Sequence, residues 1–174
     1  MRRLLLLRHS KAVPFTGRGD YDRALTERGR ADAAQVGEFL AAERMAPAAA
    51  VHSGARRTKE TLALVLGKLR TKIAVSMEPR LYEASPSAIL QIVREGFDET
   101  ETLLLVGHNP SIAETAQRLT GTGDENALSR LATKYPTSGL AILDFETSHW
   151  RDVADGEGRL VGFVTPSTLG DRDD

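Results

Sequence analysis

The chain has 174 residues, a formal net charge of −1 and no cysteine. A chain of this length can bury a core without covalent staples, and we predict one domain over residues 1–170, followed by a disordered acidic tail at 171–174. The lack of cysteine excludes disulfides, cysteine-ligated zinc and thiol nucleophiles, and the near-neutral charge argues against a broad nucleic-acid-binding face.

The amino-terminal segment superficially resembles a secretion signal, because two arginines precede four leucines. The apolar run is too short for the hydrophobic region of such a signal, and charged residues follow it at once. No other segment reaches the length of a membrane span. We therefore expect a soluble, cytoplasmic protein with no membrane or nucleic-acid partner. The sequence does not set the oligomeric state, and a monomer is the working expectation.

Apolar runs alternate with amphipathic stretches, which is typical of an α/β fold in three layers, with a mostly parallel central sheet and helices on both faces. In chain order we predict a strand over 3–8, a helix over 27–44 capped by Thr26, a strand over 48–52, a helix over 57–68, a strand over 73–77, a helix capped by Ser85, a strand over 102–107 and a helix capped by Asn109. The rest of the chain predicts three strands, over 139–145, 148–153 and 159–164, that complete the sheet in antiparallel orientation.

Two histidines each follow a predicted buried strand directly. His9 comes after the leucine run together with Arg8, and His108 follows the strand over 102–107. A third strand leads into the arginine pair Arg56 and Arg57 at a helix start. Ligands of open α/β folds bind outside the carboxyl ends of the strands, and both helix N-termini and arginines bind phosphate oxygens. These strand ends therefore predict a site for a phosphoryl group.

A histidine among arginines stays neutral more readily, and a neutral imidazole is a nucleophile. We therefore predict that His9 takes up the phosphoryl group covalently. Phosphoryl transfer requires mainly positioning and charge neutralisation, which Arg8, Arg57 and His108 can supply without a metal or another cofactor. We assign phosphate binding to these three residues and to Asn109 at the following helix start.

The remaining polar candidates are weaker. Glu83 is the best-placed carboxylate for a general acid, and a salt bridge within its loop is the alternative. His52 and His149 lack the combination that distinguishes His9 and His108, a second histidine with arginines from other strand ends, and are predicted to be structural. A metal site is not expected, because no HExxH-type spacing occurs and the neighbouring arginines would repel a cation.

Four segments, in order along the chain, resemble the histidine phosphatase superfamily, also called the phosphoglycerate mutase-like or RHG superfamily. They are residues 7–12 (LRHSKA), 22–29 (DRALTERG), 53–61 (SGARRTKET) and 107–110 (GHNP). The resemblance implies that His9 is the phosphorylated nucleophile, that His108 is the second catalytic histidine, and that Arg8 and Arg57 bind phosphate. Ser10 stands where the family signature has glycine, and it is small enough to keep close backbone approach.

Within the superfamily, the chain is most similar to the small SixA-type phosphohistidine phosphatases of bacteria, which residues 135–139 (YPTSG) also resemble. Larger members insert a lid before the second histidine, whereas here a single helix and strand separate Glu83 from His108. The resemblance implies a shallow, open site that hydrolyses phosphohistidine on a signalling or phosphotransfer protein. Two alternatives remain: a broad phosphatase of small phosphomonoesters on the same scaffold, and a phosphate-binding module with little turnover.

Overall fold

A computed structural model describes residues 1–96 and 98–170, so the predicted tail at 171–174 lies outside the described residues. The predicted α/β fold is confirmed: over the described residues, seven strands form one mixed, mostly parallel sheet. The strands are β1 (Arg2–Arg8), β2 (Ala49–His52), β3 (Ala74–Met77), β4 (Thr102–Gly107), β5 (Thr120–Gly123), β6 (Leu140–Phe145) and β7 (Gly158–Val164). The helices are α1 (Glu27–Ala42), α2 (Arg56–Leu66), α3 (Pro86–Arg94), α4 (Ser111–Leu119), α5 (Glu125–Thr133) and α6 (Pro166–Leu169).

Strand β1 lies in the middle of the sheet and contributes to the core on both faces. Leu4 and Leu6 pack in the cluster that includes α3, α4 and α5, whereas Leu5 and Leu7 pack with α1 and α2. All four side chains are fully buried, and burying each one contributes about 2 kcal/mol. Successive strand side chains point to opposite faces, so an unbroken leucine run suits a strand that helices cover on both sides.

The strand order is β3-β2-β4-β1-β6-β7-β5, and the neighbours β2, β4 and β1 run parallel. Their carboxyl ends therefore lie side by side at one edge of the sheet, where the chain continues into Ser53, His108 and His9. Strand β6 pairs antiparallel with both β1 and β7, as the sequence predicts. This edge is where the predicted site residues converge.

The helix caps agree with the sequence in two cases and differ in a third. The side chains of Thr26 and Ser85 accept hydrogen bonds from the first turns of α1 and α3 at 3.0 and 3.1 Å. The third helix, α4, begins at Ser111 with Pro110 as its N-cap, one residue later than predicted, although Oδ1 of Asn109 still accepts a hydrogen bond from the N–H of Ala113 at 3.3 Å. The Asn109 amide nitrogen also donates to the carbonyl of Tyr135 at 2.9 Å.

The predicted strand over 148–153 is also wrong. These residues contain a 3-10 turn at Trp150–Asp152, in which the N–H of Val153 bonds the Trp150 carbonyl at 3.1 Å. Trp150 is fully buried, and its indole N–H donates to the carbonyl of Thr100 at 2.6 Å. Two buried anchors, Trp150 and Val153, and not alternation between two faces, account for the apolar residues of this segment.

Three elements were not predicted: strand β5, which pairs parallel with β7, and the helices α5 and α6. Strand β5 has the sequence TGTG, which offers neither apolar side chains nor a strand-like alternation. Within the described residues, every helix is too short or too polar to cross a membrane.

Candidate active site

A cavity of about 380 Å³ opens at the carboxyl edge of the sheet. Its lining combines two histidines with several cationic side chains: Arg8, His9, Lys11, Ala12, Pro14, Arg23, Thr26, Arg57, His108, Asn109 and Thr137. Of the site residues predicted from the sequence, Glu83 alone is outside this lining in the part of the chain that is described. The cationic side chains of the lining, Arg8, Lys11, Arg23 and Arg57, give the cavity a positive charge that favours the binding of an anion.

His9 lies just beyond β1, and backbone groups orient its ring. Nδ1 lies 2.8 Å from the carbonyl oxygen of Ser10. Because a carbonyl oxygen only accepts, Nδ1 carries the ring hydrogen and Nε2 keeps the lone pair. The main-chain N–H of His9 donates to the Gly107 carbonyl at 3.0 Å, which ties His9 to the end of β4. Burial lowers the pKa of His9 to about 3, so the ring is neutral near neutral pH.

His108 faces His9 across the cavity, with the two ring centroids 5.3 Å apart. Its Nδ1 lies 3.2 Å from Nη2 of Arg57, and its Nε2 lies 2.7 Å from Oγ of Ser53. A guanidinium nitrogen only donates, so Nδ1 is the acceptor and Nε2 carries the hydrogen. Burial, with a smaller contribution from the Arg57 charge, lowers the pKa of His108 to about 4.

Arg8 and Arg57 reach the cavity from the end of β1 and the first turn of α2. Arg8 donates to the Tyr135 carbonyl through Nη1 at 3.0 Å, and Arg57 donates to the Asp20 carbonyl through Nη1 at 2.7 Å. In the described structure, the buried Nε of each arginine has no hydrogen-bond partner. Both guanidinium groups also line the cavity, and two cations beside one cavity favour the binding of an anion there.

The loop between α5 and β6 positions several of these groups. The Tyr135 carbonyl accepts hydrogen bonds from both Arg8 and Asn109, while its hydroxyl donates to the main chain of β1. Ser138 adopts a left-handed conformation with φ 63°, and its N–H lies 3.2 Å from the carbonyl oxygens of Arg8 and of His9. Residues 135–139 thus hold the end of β1, and with it the predicted nucleophile.

Asp20 is a site residue that sequence reasoning missed. Its carboxylate accepts hydrogen bonds from Arg57 at 3.2 Å, from Arg23 at 2.9 Å and from the Tyr82 hydroxyl. The hydrogen bond from Tyr82 is the main cause of the lowered pKa of Asp20, and the charge of Arg57 adds to it. The Tyr82 ring in turn meets the His108 ring edge-to-face at 5.5 Å. The partners Arg57 and Tyr82 are 37 and 62 positions away in sequence, so no local pattern reveals the contact.

The other candidate residues lie apart from the cavity lining. Glu83 is exposed and adopts a left-handed conformation with φ 56°. Arg56 is exposed and pairs with Glu60 at 2.9 Å, which leaves Arg57 as the arginine of that pair in the cavity. His149 pairs with Asp98 at 2.7 Å.

His52 is buried, and its Nδ1 accepts a hydrogen bond from the N–H of Gly54 at 3.1 Å. In residues 1–96 and 98–170, histidine and carboxylate side chains form no group of three that could hold a metal ion. The arrangement that remains is a neutral imidazole with a free lone pair, facing a second imidazole and two arginines. Such a site can bind a phosphoryl group and accept it on nitrogen.

Comparison with known proteins is consistent with this geometry. Residues 4–95 match the sequence model of the histidine phosphatase superfamily, branch 1. An uncharacterized protein of Mycobacterium tuberculosis is 36% identical over 163 residues, which cover 92% of this chain and 99% of that protein. A proposed phosphohistidine phosphatase SixA from Agrobacterium tumefaciens is 30% identical, with a TM-score of 0.79 over 95% of this chain and 98% of its own. A second proposed SixA, from Nakamurella multipartitia, is 28% identical, with a TM-score of 0.81 over 95% of this chain and 96% of its own.

The family match covers just over half of the chain and contains His9 and Arg57. The solved structures extend the likeness over nearly the whole chain, including β4 and the segment that carries His108. The phosphoglycerate mutase-like fold expected from the motifs is confirmed, and the structure is SixA-like. The chain therefore belongs to branch 1 of the histidine phosphatase superfamily.

Proposed function

We propose that this protein is a cofactor-independent phosphohistidine phosphatase, which removes the phosphoryl group from a phosphorylated histidine of a signalling or phosphotransfer protein. The observation that carries the proposal is the state of His9. Its ring is neutral, its hydrogen is held on Nδ1 by the Ser10 carbonyl, and its Nε2 lone pair is left for the cavity. A neutral imidazole nitrogen beside two arginines is a nucleophile suited to a phosphoryl group.

The reaction proceeds in two transfers. The Nε2 lone pair of His9 attacks phosphorus, and the phosphorus–nitrogen bond of the substrate breaks with its electron pair returning to the substrate imidazole. Water then attacks the phosphorus of phospho-His9, and the bond to Nε2 breaks with its electron pair returning to Nε2. The proton that the attacking water loses passes to solvent, and inorganic phosphate leaves. Arg8 and Arg57 neutralise the charge on the phosphoryl oxygens throughout both transfers.

The carboxylates around the cavity support a phosphohistidine substrate over an alkyl phosphate. An alkoxide leaving group needs a proton from a general acid, whereas a substrate imidazole that is protonated on its other nitrogen leaves as a neutral ring. Asp20 is held as an anion by Tyr82 and two arginines, which lowers its pKa and opposes proton donation. Glu83, which remains the predicted acid, is exposed. Such surroundings suit a leaving group that requires little protonation.

Exposed apolar side chains near the cavity favour a protein as the substrate. Pro14 lines the cavity, and its neighbours Val13 and Phe15 are 39% and 55% exposed. Outside the cavity lining, the exposed Tyr21 ring packs edge-to-face on Tyr82 at 5.1 Å, and the Tyr82 ring contacts His108. The exposed Met77 lies with Tyr21 beside Gly54. Exposed apolar side chains beside a polar site are typical of a surface that contacts another protein. The two SixA relatives, proposed to act on phosphohistidine, support the same substrate class.

The experiment is to mix the enzyme with a histidine-phosphorylated protein that carries labelled phosphate and to quench in alkali, where phosphohistidine survives. Label should appear on the wild-type enzyme and be absent from His9→Ala. Label retained by His9→Ala would contradict the mechanism. Replacing His108 or Arg57 should lower turnover by about 10²- to 10³-fold, as the removal of one preorganised charge partner commonly does.

Substrate class is tested by comparing a panel of histidine-phosphorylated proteins with nucleotide and sugar phosphates. We expect release of inorganic phosphate to be fastest from a phosphohistidine protein. Faster release from small esters would favour the broad phosphomonoesterase. Binding of phosphoprotein without release would favour a recognition module.

A further inference from the structure

A chain of buried hydroxyl groups runs from His108 away from the cavity. Nε2 of His108 lies 2.7 Å from Oγ of Ser53, which lies 2.9 Å from Oγ1 of Thr58. The Thr58 hydroxyl donates to the carbonyl of Ala55 at 2.8 Å. Both Ser53 and Thr58 are fully buried, and other groups of the protein supply the hydrogen-bond partners of their hydroxyls.

The donor and the acceptor of each hydrogen bond in this series can be assigned from its last member, Thr58. Because the Ala55 carbonyl only accepts, Thr58 donates its hydrogen there and can only accept from Ser53. Ser53 therefore donates to Thr58 and accepts the Nε2–H of His108, while the N–H of Ala55 also donates to the Ser53 oxygen at 3.3 Å. On the opposite side of the ring, Arg57 donates to Nδ1. Both sides select the same tautomer of His108.

We propose that Ser53 is a positioning residue that keeps the hydrogen of His108 on Nε2, so that His108 takes up a proton at Nδ1 whenever a tetrahedral anion binds in the cavity. An anion held by Arg57 needs a donor at Nδ1, and neutral His108 offers a lone pair there. A proton from solvent converts the ring to imidazolium. The hydrogen bond from Nη2 of Arg57 to Nδ1 breaks and Arg57 donates to the anion in its place, while Nδ1–H faces the anion and Nε2–H stays bonded to Ser53. The proton returns to solvent when the anion leaves.

The alternative is a reversal of the Ser53 hydroxyl, which would donate to Nε2 and let neutral His108 present Nδ1–H. That reversal would leave Oγ1 of Thr58 without a donor in a fully buried position. An unsatisfied buried polar group is unfavourable, whereas an imidazolium facing an anion gains a charge-assisted hydrogen bond. Proton uptake is therefore the favoured response.

The charges around His108 are consistent with a proton that is taken up only with an anion. In the free protein, burial and the Arg57 charge lower the pKa of His108 to about 4. A dianion placed beside these cations raises that pKa, because it favours the imidazolium form. The titratable and charged groups that face His108 come from several elements: Arg8, His9, Asp20, Arg23, Arg57 and Tyr82.

The proposal concerns any tetrahedral anion, so its test does not require turnover or the physiological substrate. Tungstate is a suitable probe, because it is a tetrahedral dianion that keeps its charge near neutral pH. Calorimetric titration in buffers of different protonation enthalpy counts the protons taken up on binding. The decisive variant is Thr58→Val, which removes the acceptor of the Ser53 hydrogen with little change of shape.

We expect wild-type protein to take up a proton at His108 with tungstate, and its affinity to weaken by up to about tenfold per pH unit as pH rises. In Thr58→Val, Nε2 of His108 is the acceptor left for the Ser53 hydrogen, so uptake should fall by about one proton and the pH dependence should flatten. Thr115→Val is the matched control, because it removes a buried hydroxyl that has no hydrogen-bond partner in the described structure. It should behave as wild type.

Equal proton uptake by Thr58→Val and wild type, with tungstate still bound, would overturn the proposal. If Thr58→Val does not fold, nitrogen NMR of the wild-type protein decides. His108 should carry hydrogen on Nε2 alone in the free protein and on both nitrogens in the tungstate complex. A neutral His108 in that complex would exclude proton uptake, and the separate His9 signals distinguish the two rings.

Discussion

The hydroxyl oxygens of Ser10 and Ser138 lie 2.6 Å apart and join the residue after His9 to the loop that precedes β6. Both residues are fully buried, and Ser10 is not part of the cavity lining. The Ser10 N–H also donates to Oγ1 of Thr61 at 2.9 Å. The side chain that replaces the signature glycine is therefore directed into the protein and leaves the phosphoryl site open.

Ser10→Gly should keep turnover within a few-fold of wild type while lowering stability. The variant loses one buried hydrogen bond and gains backbone freedom in the unfolded state, which together lower the free energy of unfolding by about 1 to 2 kcal/mol. Urea unfolding and steady-state turnover measure the two effects separately. A large loss of turnover in a folded Ser10→Gly protein would show that the serine acts in the site itself.

Asp20→Asn tests how the carboxylate acts on Arg57. The carboxylate accepts from Nη2 of Arg57 and so orients the guanidinium, but it also competes with phosphoryl oxygens for that donor. The bond from Nη1 to the main-chain carbonyl of Asp20 is kept in the variant. Removing the charge should therefore keep or tighten inhibition by inorganic phosphate, while kcat falls by about tenfold because Arg57 is less well oriented. Weaker phosphate binding with unchanged kcat would contradict this role. Arg23→Gln is the opposite case, because it removes a cation of the cavity lining and leaves the Asp20 carboxylate in place, so it should weaken inhibition by inorganic phosphate.

The two buried histidines predict a loss of stability in mild acid. Burial lowers the pKa of His9 to about 3 and that of His108 to about 4, against an ordinary value of 6.5. Below about pH 6.5 the histidine rings of the unfolded protein take up protons, whereas the folded rings stay neutral down to their lowered pKa values. The free energy of unfolding is therefore highest above pH 6.5 and decreases as pH falls from 6.5 to the folded pKa values. Each pKa unit corresponds to about 1.4 kcal/mol for each ring.

Urea unfolding near pH 7 and near pH 5 measures this loss of stability, and His108→Asn provides the comparison because it removes one of the titrating rings. The variant should lose less stability between the two pH values than the wild type does. An equal loss in both proteins would mean that other groups cause the acid sensitivity.

The parts of this site that follow from sequence are those that depend on local order. The leucine strand that leads to Arg8 and His9 can be predicted, because a strand covered on both faces needs an unbroken run of apolar residues. The polar residues that follow the run mark the point where the strand leaves the sheet. His108 follows for the same reason from β4. Asp20 could not be predicted, because its contacts with Arg57 and Tyr82 arise only when the segment after β1, the start of α2 and the segment after β3 come together. Strand β5 could not be predicted either, because it is a strand through its pairing with β7 and not through the pattern of its own side chains.

A substitution at Glu83 distinguishes most directly between an alkyl phosphate and a phosphohistidine protein as the substrate. It follows Tyr82, whose ring contacts His108, and its carboxylate is exposed. If Glu83 is the general acid, Glu83→Gln should lower turnover of an alkyl phosphate by about 10²-fold, because an alkoxide requires a proton in the transition state. Turnover of a phosphohistidine protein should stay within a few-fold, because a protonated imidazole leaves as a neutral ring.

Glu60→Gln is the matched control, since Glu60 is a carboxylate that pairs with Arg56 outside the cavity lining. It should leave both rates unchanged. An equal loss on both substrates in Glu83→Gln would assign the residue to binding or folding, and no loss on either would remove it from the mechanism. Only a loss of turnover that is confined to the alkyl phosphate identifies Glu83 as a proton donor. Such a result would also explain how an enzyme with an exposed acid hydrolyses phosphohistidine, because that leaving group requires little protonation.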